Sequence, residues 1–336
     1  MQNDFILVLD FGGGQAQAMA RKLRGQNFYS EIHSGAISLE SIRKKTPRGI
    51  LLAGGPSQCP FDEGVLNLGI PVVDFTSAIE LIKDTDGKAA GAVLQNMETG
   101  EIMIARAKTV VLATGGAGRL HYQGFPTSNH YGATADGLIL AYRAGAKLLY
   151  PETLQYHPTG VAAPTQIYGA LVTEKVRSLG AQLVGKDGTA FVNPLETRDV
   201  TASSIIRECK ERKNGLQTTD GEGVWLDTPM IDLIHGEGTI EKRIPAMLRM
   251  FGKYGLDIRK QPILVYPTLH YQNGGVDISA NAESGVKNLF VAGEAAGGIH
   301  GTNRLGSNAD ADACGIGYVS GIVVSTGEIP AFIPAE

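Results

Sequence analysis

Cysteine is scarce in this chain and badly placed for metal or disulfide work. Among 336 residues there are three, Cys59, Cys209 and Cys314, far apart and without a C-x-x-C pair. That excludes a recognisable iron–sulfur or zinc motif and argues against a disulfide framework. Long apolar runs are also missing: no stretch of about 18 apolar residues is present, so no direct membrane span is expected. Neither sign of charge dominates, with a net charge of -4 and a pI of about 6.0. Such a balance argues against nucleic acid as a partner, and the short basic run Arg43-Lys44-Lys45 reads as a solvated helix or loop end. The opening Met1-Gln2-Asn3-Asp4 lacks the basic n-region and cleavage site of a secretory leader. These absences together predict a soluble cytoplasmic protein.

Glycine is what the chain has in excess, 44 of 336 residues against an average near 7%. The glycines cluster behind apolar runs, at Gly12-Gly13-Gly14, Gly54-Gly55, Gly115-Gly116, Gly274-Gly275 and Gly297-Gly298. In α/β proteins that pattern brings backbone close to a phosphate or carboxylate. Strands are expected at 5–9, 29–33, 49–53 and 70–75, with a helix over 15–23. Their alternation predicts a parallel sheet. Three short segments at 78–82, 89–94 and 101–107, separated by Asp- and Gly-containing turns, then predict an antiparallel meander. Buried-type strands are expected at 109–113 and 288–292. Helices are expected over 136–145, closed by Gly145, and in stretches near 199–212 and 239–254. The sharpest change of character falls between residues 74 and 80.

The stretch Ile6-Leu7-Val8-Leu9-Asp10-Phe11-Gly12-Gly13, followed by Ala20-Arg21-Lys22, Ala53-Gly54-Gly55-Pro56-Ser57 and Gly69-Ile70-Pro71-Val72-Val73, resembles the first half of a class I glutamine amidotransferase domain. Such an enzyme needs a cysteine nucleophile on a turn after a later strand, with a histidine to activate it. Here the stretch after Val73 reads Asp74-Phe75-Thr76-Ser77-Ala78, so amidotransferase chemistry is not expected. Gly12 to Gln17 also partly matches the dinucleotide fingerprint. Its third glycine is replaced by Gln17, and Asp10 would repel a pyrophosphate.

Residues 79 to about 325 carry nine ordered motifs. They are Ala113-Thr114-Gly115-Gly116-Ala117-Gly118, Thr134-Ala135-Asp136-Gly137, Gln155-Tyr156-His157-Pro158-Thr159-Gly160, Thr173-Glu174, Thr197-Arg198-Asp199, Tyr266-Pro267-Thr268-Leu269-His270-Tyr271, Gly274-Gly275, Gly293-Glu294, and His300 through Asn308. With these motifs the segment resembles the flavoprotein subunit of the fumarate reductase and succinate dehydrogenase family. The resemblance implies FAD, held non-covalently, and a small dicarboxylate substrate. It assigns the proton donor to Arg198, with Glu174 and Arg177 as its relay. The three-residue spacing of that last pair lets the two side chains meet on one helical face. Substrate contacts fall to His157, His270, Arg304 and Thr173. Cofactor contacts fall to Gly115, Gly116, Asp136, Tyr271, Glu294, Ser307, Asn308 and Ala309. Electrons would come from a partner subunit or a soluble donor.

The expected fold is therefore α/β: a partial FAD-binding, parallel-sheet domain (76–151 and 274–336), an amidotransferase-like, flavodoxin-like βαβ segment before it (1–75), and an α+β substrate-capping domain (152–273). The family's usual opening G-x-G-x-x-G unit has no match here. Two readings stay open on the sequence: an FAD-dependent oxidoreductase interconverting fumarate and succinate, and a non-catalytic remnant that does not bind FAD.

Overall fold

The structure is a computed structural model that describes residues 5–10, 15–25, 29–35, 37–47, 49–53, 73–120, 124–301, 303–304 and 331–334. The strand expected at 70–75 lies outside these apart from its last residues. The glycine clusters at 12–14 and 54–55, Cys59, Cys314, and the candidate cofactor residues Ser307, Asn308 and Ala309 lie outside them too. The chain divides into two compact units. One comprises Met1–Ile79, Val93–Ala107 and Gly321–Glu336, the other Glu80–Ala92 and Lys108–Ser320.

The first unit opens with β1 (Phe5–Asp10), α1 (Gln15–Gly25), β2 (Tyr29–Ser34), α2 (Leu39–Lys45) and β3 (Gly49–Ala53). Leu7, Val8 and Leu9 are all fully buried. A strand that is apolar on both faces belongs at the centre of a covered sheet. β1 indeed lies between β2 and β3, parallel to both. Ala16, Ala20 and Leu23 form the buried stripe of α1, at helical spacing. The Ser38 hydroxyl accepts from the Ser41 amide at 3.3 Å and caps α2. At the other end Lys45 is not simply solvated, because its ammonium pairs with Glu31 at 2.9 Å.

The three segments that follow are strands β4 (Thr76–Lys83), β5 (Ala89–Asn96) and β6 (Ile102–Arg106). The Asp84 carboxylate caps the first turn by accepting from the Asp86 and Lys88 amides, both at 2.9 Å. Next come β7 (Val110–Leu112), α3 (Asp136–Ala144), β8 (Leu148–Leu149) and β9 (Leu154–Ala163). Gly145 closes α3 in the left-handed conformation, where glycine carries no Cβ penalty.

Then follow α4 (Lys175–Ser178), β10 (Gln182–Val184), β11 (Ala190–Val192), α5 (Arg198–Lys210), β12 (Leu216–Gln217) and β13 (Glu222–Asp227). They are succeeded by α6 (Met230–His235), α7 (Thr239–Arg243), α8 (Pro245–Gly252), β14 (Ile263–Gln272), β15 (Gly275–Val276), β16 (Leu289–Val291) and β17 (Ala331–Pro334). The stretch expected to be one helix over 239–254 is two. Pro245 starts the second, since it has no N–H with which to continue the first but suits a first helical turn.

The second unit is built on a sheet in the order β11-β10-β13-β14-β9, with β12 paired to β13. α5 packs across β9 and β14. Val161, Leu183, Ile205, Val224, Leu226, Phe251 and Val265 belong to one buried core there. β7 and β16 form a separate parallel pair, and both run into glycine-containing turns. In the first unit β17 runs antiparallel to β6.

Candidate active site

The long antiparallel pair β9 and β14 places two histidines side by side. Thr268 pairs with His157, and Leu269 with Tyr156. The His157 and His270 rings meet edge to face at 5.3 Å between centroids. His157 is buried, and its Nδ1 accepts from the Thr159 amide at 3.3 Å. Burial, then the positive fields of Arg198, His270, Arg177 and Arg304, hold it well below the ordinary histidine range. Burial, then Arg198 and Arg304, push His270 down to about 4. Both rings are therefore neutral at neutral pH.

Arg198 is the first residue of α5 and is buried against these strands. Its Nη1 donates to Gln155 Oε1 at 3.0 Å and its Nη2 to Glu174 Oε2 at 3.0 Å. The other oxygen of Glu174 accepts from Arg177 Nη2 at 2.9 Å. Glu174 stands just before the short helix α4, and Arg177 lies three residues on, so one turn brings the two together. Arg177 is 1% exposed and also donates to the Pro194 carbonyl at 2.6 Å. Burial raises the Glu174 carboxyl, but the hydrogen bond and charge of Arg198 and those of Arg177 outweigh it, leaving Glu174 below its ordinary range. Burial lowers Arg177. Thr173 is half-buried, and its carbonyl accepts from the Val176 amide at 3.1 Å.

Arg304 reaches the same place from the far end of the chain. It is buried, and its guanidinium carbon sits 4.1 Å from the centre of the Tyr271 ring. Gln155 Nε2 donates to the Arg304 carbonyl at 2.8 Å and to Asn303 Oδ1 at 3.0 Å. Asn303 Nδ2 in turn donates to Asp199 Oδ1 at 2.8 Å. One glutamine side chain thus joins Arg198 to the backbone of Arg304. Gln155, Asp199 and Asn303 all stand inside the motifs quoted above, but the motifs gave them no task. Ser128, which touches His270, stands in none of them.

The glycine-rich turn after β7 faces a second group of residues. A Cβ on Gly116 would lie 2.6 Å from Glu294 Oε1 and 3.0 Å from the Gln272 Cβ. Glu294 is largely enclosed. Burial raises its carboxyl, although the Gln272 amide donates to it at 2.8 Å. Gln272 Oε1 is buried with no hydrogen-bond partner among the described residues, and a ligand N–H or O–H would satisfy it. Asp136 starts α3, where its carboxylate accepts from the Thr134 hydroxyl. Gly115 takes φ of +74. A backbone stripped of side chains just after a strand, its Gly116 carbonyl accepting from the Ala135 amide at 3.2 Å beside the start of α3 and flanked by a half-buried carboxylate, suits the phosphate and ribose parts of a dinucleotide.

The FAD binding domain family profile matches residues 16–309, and the chain belongs to that family. FAD is its cofactor, and the residues around Gly116 and Glu294 fit it. Among its relatives is the 8-methylmenaquinol:fumarate reductase flavoprotein subunit of Wolinella succinogenes. The two are 37% identical over 248 residues, covering 70% of this chain and 38% of the relative. The succinate dehydrogenase flavoprotein subunit of Coxiella burnetii is 34% identical over 264 residues, covering 73% and 43%. A solved quinol-fumarate reductase with menaquinol molecules superposes with a TM-score of 0.65 at 33% identity, covering 75% of this chain and 45% of that one. The chain thus spans less than half the length of these relatives. The family match begins at residue 16, inside the stretch that the sequence led one to expect to be amidotransferase-like. No helix among the described residues is long and apolar enough to cross a membrane.

Proposed function

We propose that the chain interconverts fumarate and succinate. The observation that carries this is the charge of the buried cluster. Arg177 and Arg198 share one carboxylate, Glu174, and the field of Arg304 reaches the same two histidines. The histidines contribute no charge. A small dianion complements this cluster, where two arginines share a single carboxylate.

FAD, when bound, supplies hydride chemistry. Arg304 clamps one carboxylate of the substrate with its planar fork, and His270, His157 and Thr173 orient the dianion. Arg198 holds the proton that goes to the alkene carbon not receiving hydride, so that one hydride and one proton make succinate. Arg177 supplies a proton to the Glu174 carboxylate, whose Oε2, 3.0 Å from Arg198 Nη2, returns it to Arg198. An arginine serves as an acid only in a dry site with such a supply. Arg198 is 8% and Arg177 1% exposed. The FAD is held without a covalent link, and the electrons come from a partner subunit. The relatives named as subunits support that partner. In this reading residues 5–75 have no glutamine chemistry.

The test is fumarate reduction by the FAD-loaded protein with a reduced one-electron dye. Turnover is expected, and Arg198→Ala should lower kcat by about 10²- to 10⁴-fold, the usual weight of a general acid. Full turnover in Arg198→Ala, or none in the loaded wild type, overturns the reading.

A further inference from the structure

His270 is neutral, so its usefulness to an anion depends on which ring nitrogen carries the proton. With Nε2–H it offers a donor to a carboxylate. With Nδ1–H it offers a lone pair, which repels one. Among the described residues the ring makes a single hydrogen bond, Nδ1 to Ser128 Oγ at 2.8 Å.

The hydroxyl of Ser128 has two places to send its proton, His270 Nδ1 at 2.8 Å or the Leu269 carbonyl at 3.3 Å. That carbonyl already accepts from the Ser128 amide at 3.0 Å and lies 3.2 Å from the Thr127 hydroxyl. The shorter, unshared contact is the one to the ring. The segment carrying Ser128 is tied to β14 on both sides. The Leu269 amide donates to Pro126 O at 2.8 Å, and Asn129 Nδ2 donates to His270 O at 3.0 Å. Backbone and neighbours thus fix where the hydroxyl sits, as a group that orients a site residue must be fixed.

We infer that Ser128 is a positioning residue for His270: its hydroxyl donates to Nδ1 and holds the ring in the Nε2–H tautomer, with the donor left for a substrate carboxylate. The inference rests on the dicarboxylate reading above for its consequence, though not for the tautomer itself.

The experiment uses the FAD-loaded protein with histidine rings labelled in ¹⁵N and ¹³C, the His270 signals being identified by their loss in His270→Gln. The wild-type ring should show a protonated Nε2 and an acceptor-type Nδ1. Ser128→Ala should give mixed tautomers and raise KM for fumarate roughly tenfold, with kcat within about twofold, as loss of one oriented hydrogen bond to an anion does. Ser128→Thr, which keeps the hydroxyl, should restore both readouts. A protonated Nδ1 in the wild type overturns the inference even if Ser128→Ala does not fold. So does an unchanged ring spectrum in a folded Ser128→Ala. If the wild type binds no dicarboxylate, the function proposed above fails while the ring spectrum still decides the tautomer.

Discussion

Tyr271 lies beneath Arg304, ring centre to guanidinium carbon 4.1 Å. Both side chains are buried, and a guanidinium over a desolvated aromatic face is held by about 2 kcal/mol or more. The family resemblance groups Tyr271 with the cofactor residues, and its ring also lies against Arg304, a substrate-contact candidate. Tyr271→Phe should keep KM for fumarate within about twofold, because the face remains. Tyr271→Leu should raise it several-fold to tenfold with a smaller change in kcat. Steady-state kinetics of the pair checks this, and equal KM values in the two variants would count against the stacking.

Glu174 stands between two arginines and is held below its ordinary carboxylate range, burial opposing the shift and Arg198 and Arg177 overcoming it. Folding therefore favours the ionised form. Its contribution to stability is fully present above the unfolded value near 4.5 and is lost as pH falls through the lower folded value. Glu174→Gln should lower Tm at pH 7, leaving Arg198 and Arg177 without their carboxylate. The gap from wild type should narrow as the pH drops below about 4.5. Thermal melts across pH 3 to 7 measure the gap, and a constant gap would contradict the assignment. The side chain is 34% exposed, so solvent screening keeps the effect modest.

His270 gives the same sign from the opposite charge type. Its folded value is pushed down to about 4, chiefly by burial and then by Arg198 and Arg304. Between that value and the ordinary 6.5 the unfolded chain takes up a proton that the fold refuses. Stability should fall as the pH drops across this window and stop falling on this account below about 4. His270→Gln should flatten that part of the Tm profile. Fumarate binding should likewise show no step from His270 between pH 6 and 7, which a titration of KM against pH would reveal.

Local patterning made much of this fold legible in the chain. Three consecutive buried residues in β1 announced a covered parallel strand, and Gly145 marked the end of α3. Pro245 was visible too, but the apolar spacing on either side of it suggested one helix where there are two. The Glu174–Arg177 pair was named by the family resemblance, and its three-residue spacing allowed the contact that the fold makes. The rest depended on pairing across long stretches of chain. Ser128 meets His270 across 142 residues, and Asn303 meets Asp199 across 104. No periodicity within either segment encodes such a contact. The β9–β14 register sets the first histidine beside the second, and only the folded sheet displays it.

The two adjacent glycines after β7 should separate conformational strain from steric exclusion. Gly115 has φ of +74, yet a Cβ there would meet nothing within 4 Å. Gly115→Ala should cost stability, about 1 to 2 kcal/mol from the left-handed backbone, with FAD still retained. Gly116 carries no such φ, but its Cβ would press on Glu294 Oε1 at 2.6 Å and on the Gln272 Cβ at 3.0 Å. Gly116→Ala must push aside the half-buried Glu294 carboxylate, so its cost should fall on FAD affinity, weakened by more than roughly tenfold, about 1.4 kcal/mol. Flavin absorbance near 450 nm after removal of excess FAD, set beside Tm of the same samples, distinguishes the two. If Gly116→Ala kept its flavin while Gly115→Ala lost it, the cofactor cradle would have to lie on the other side of the turn.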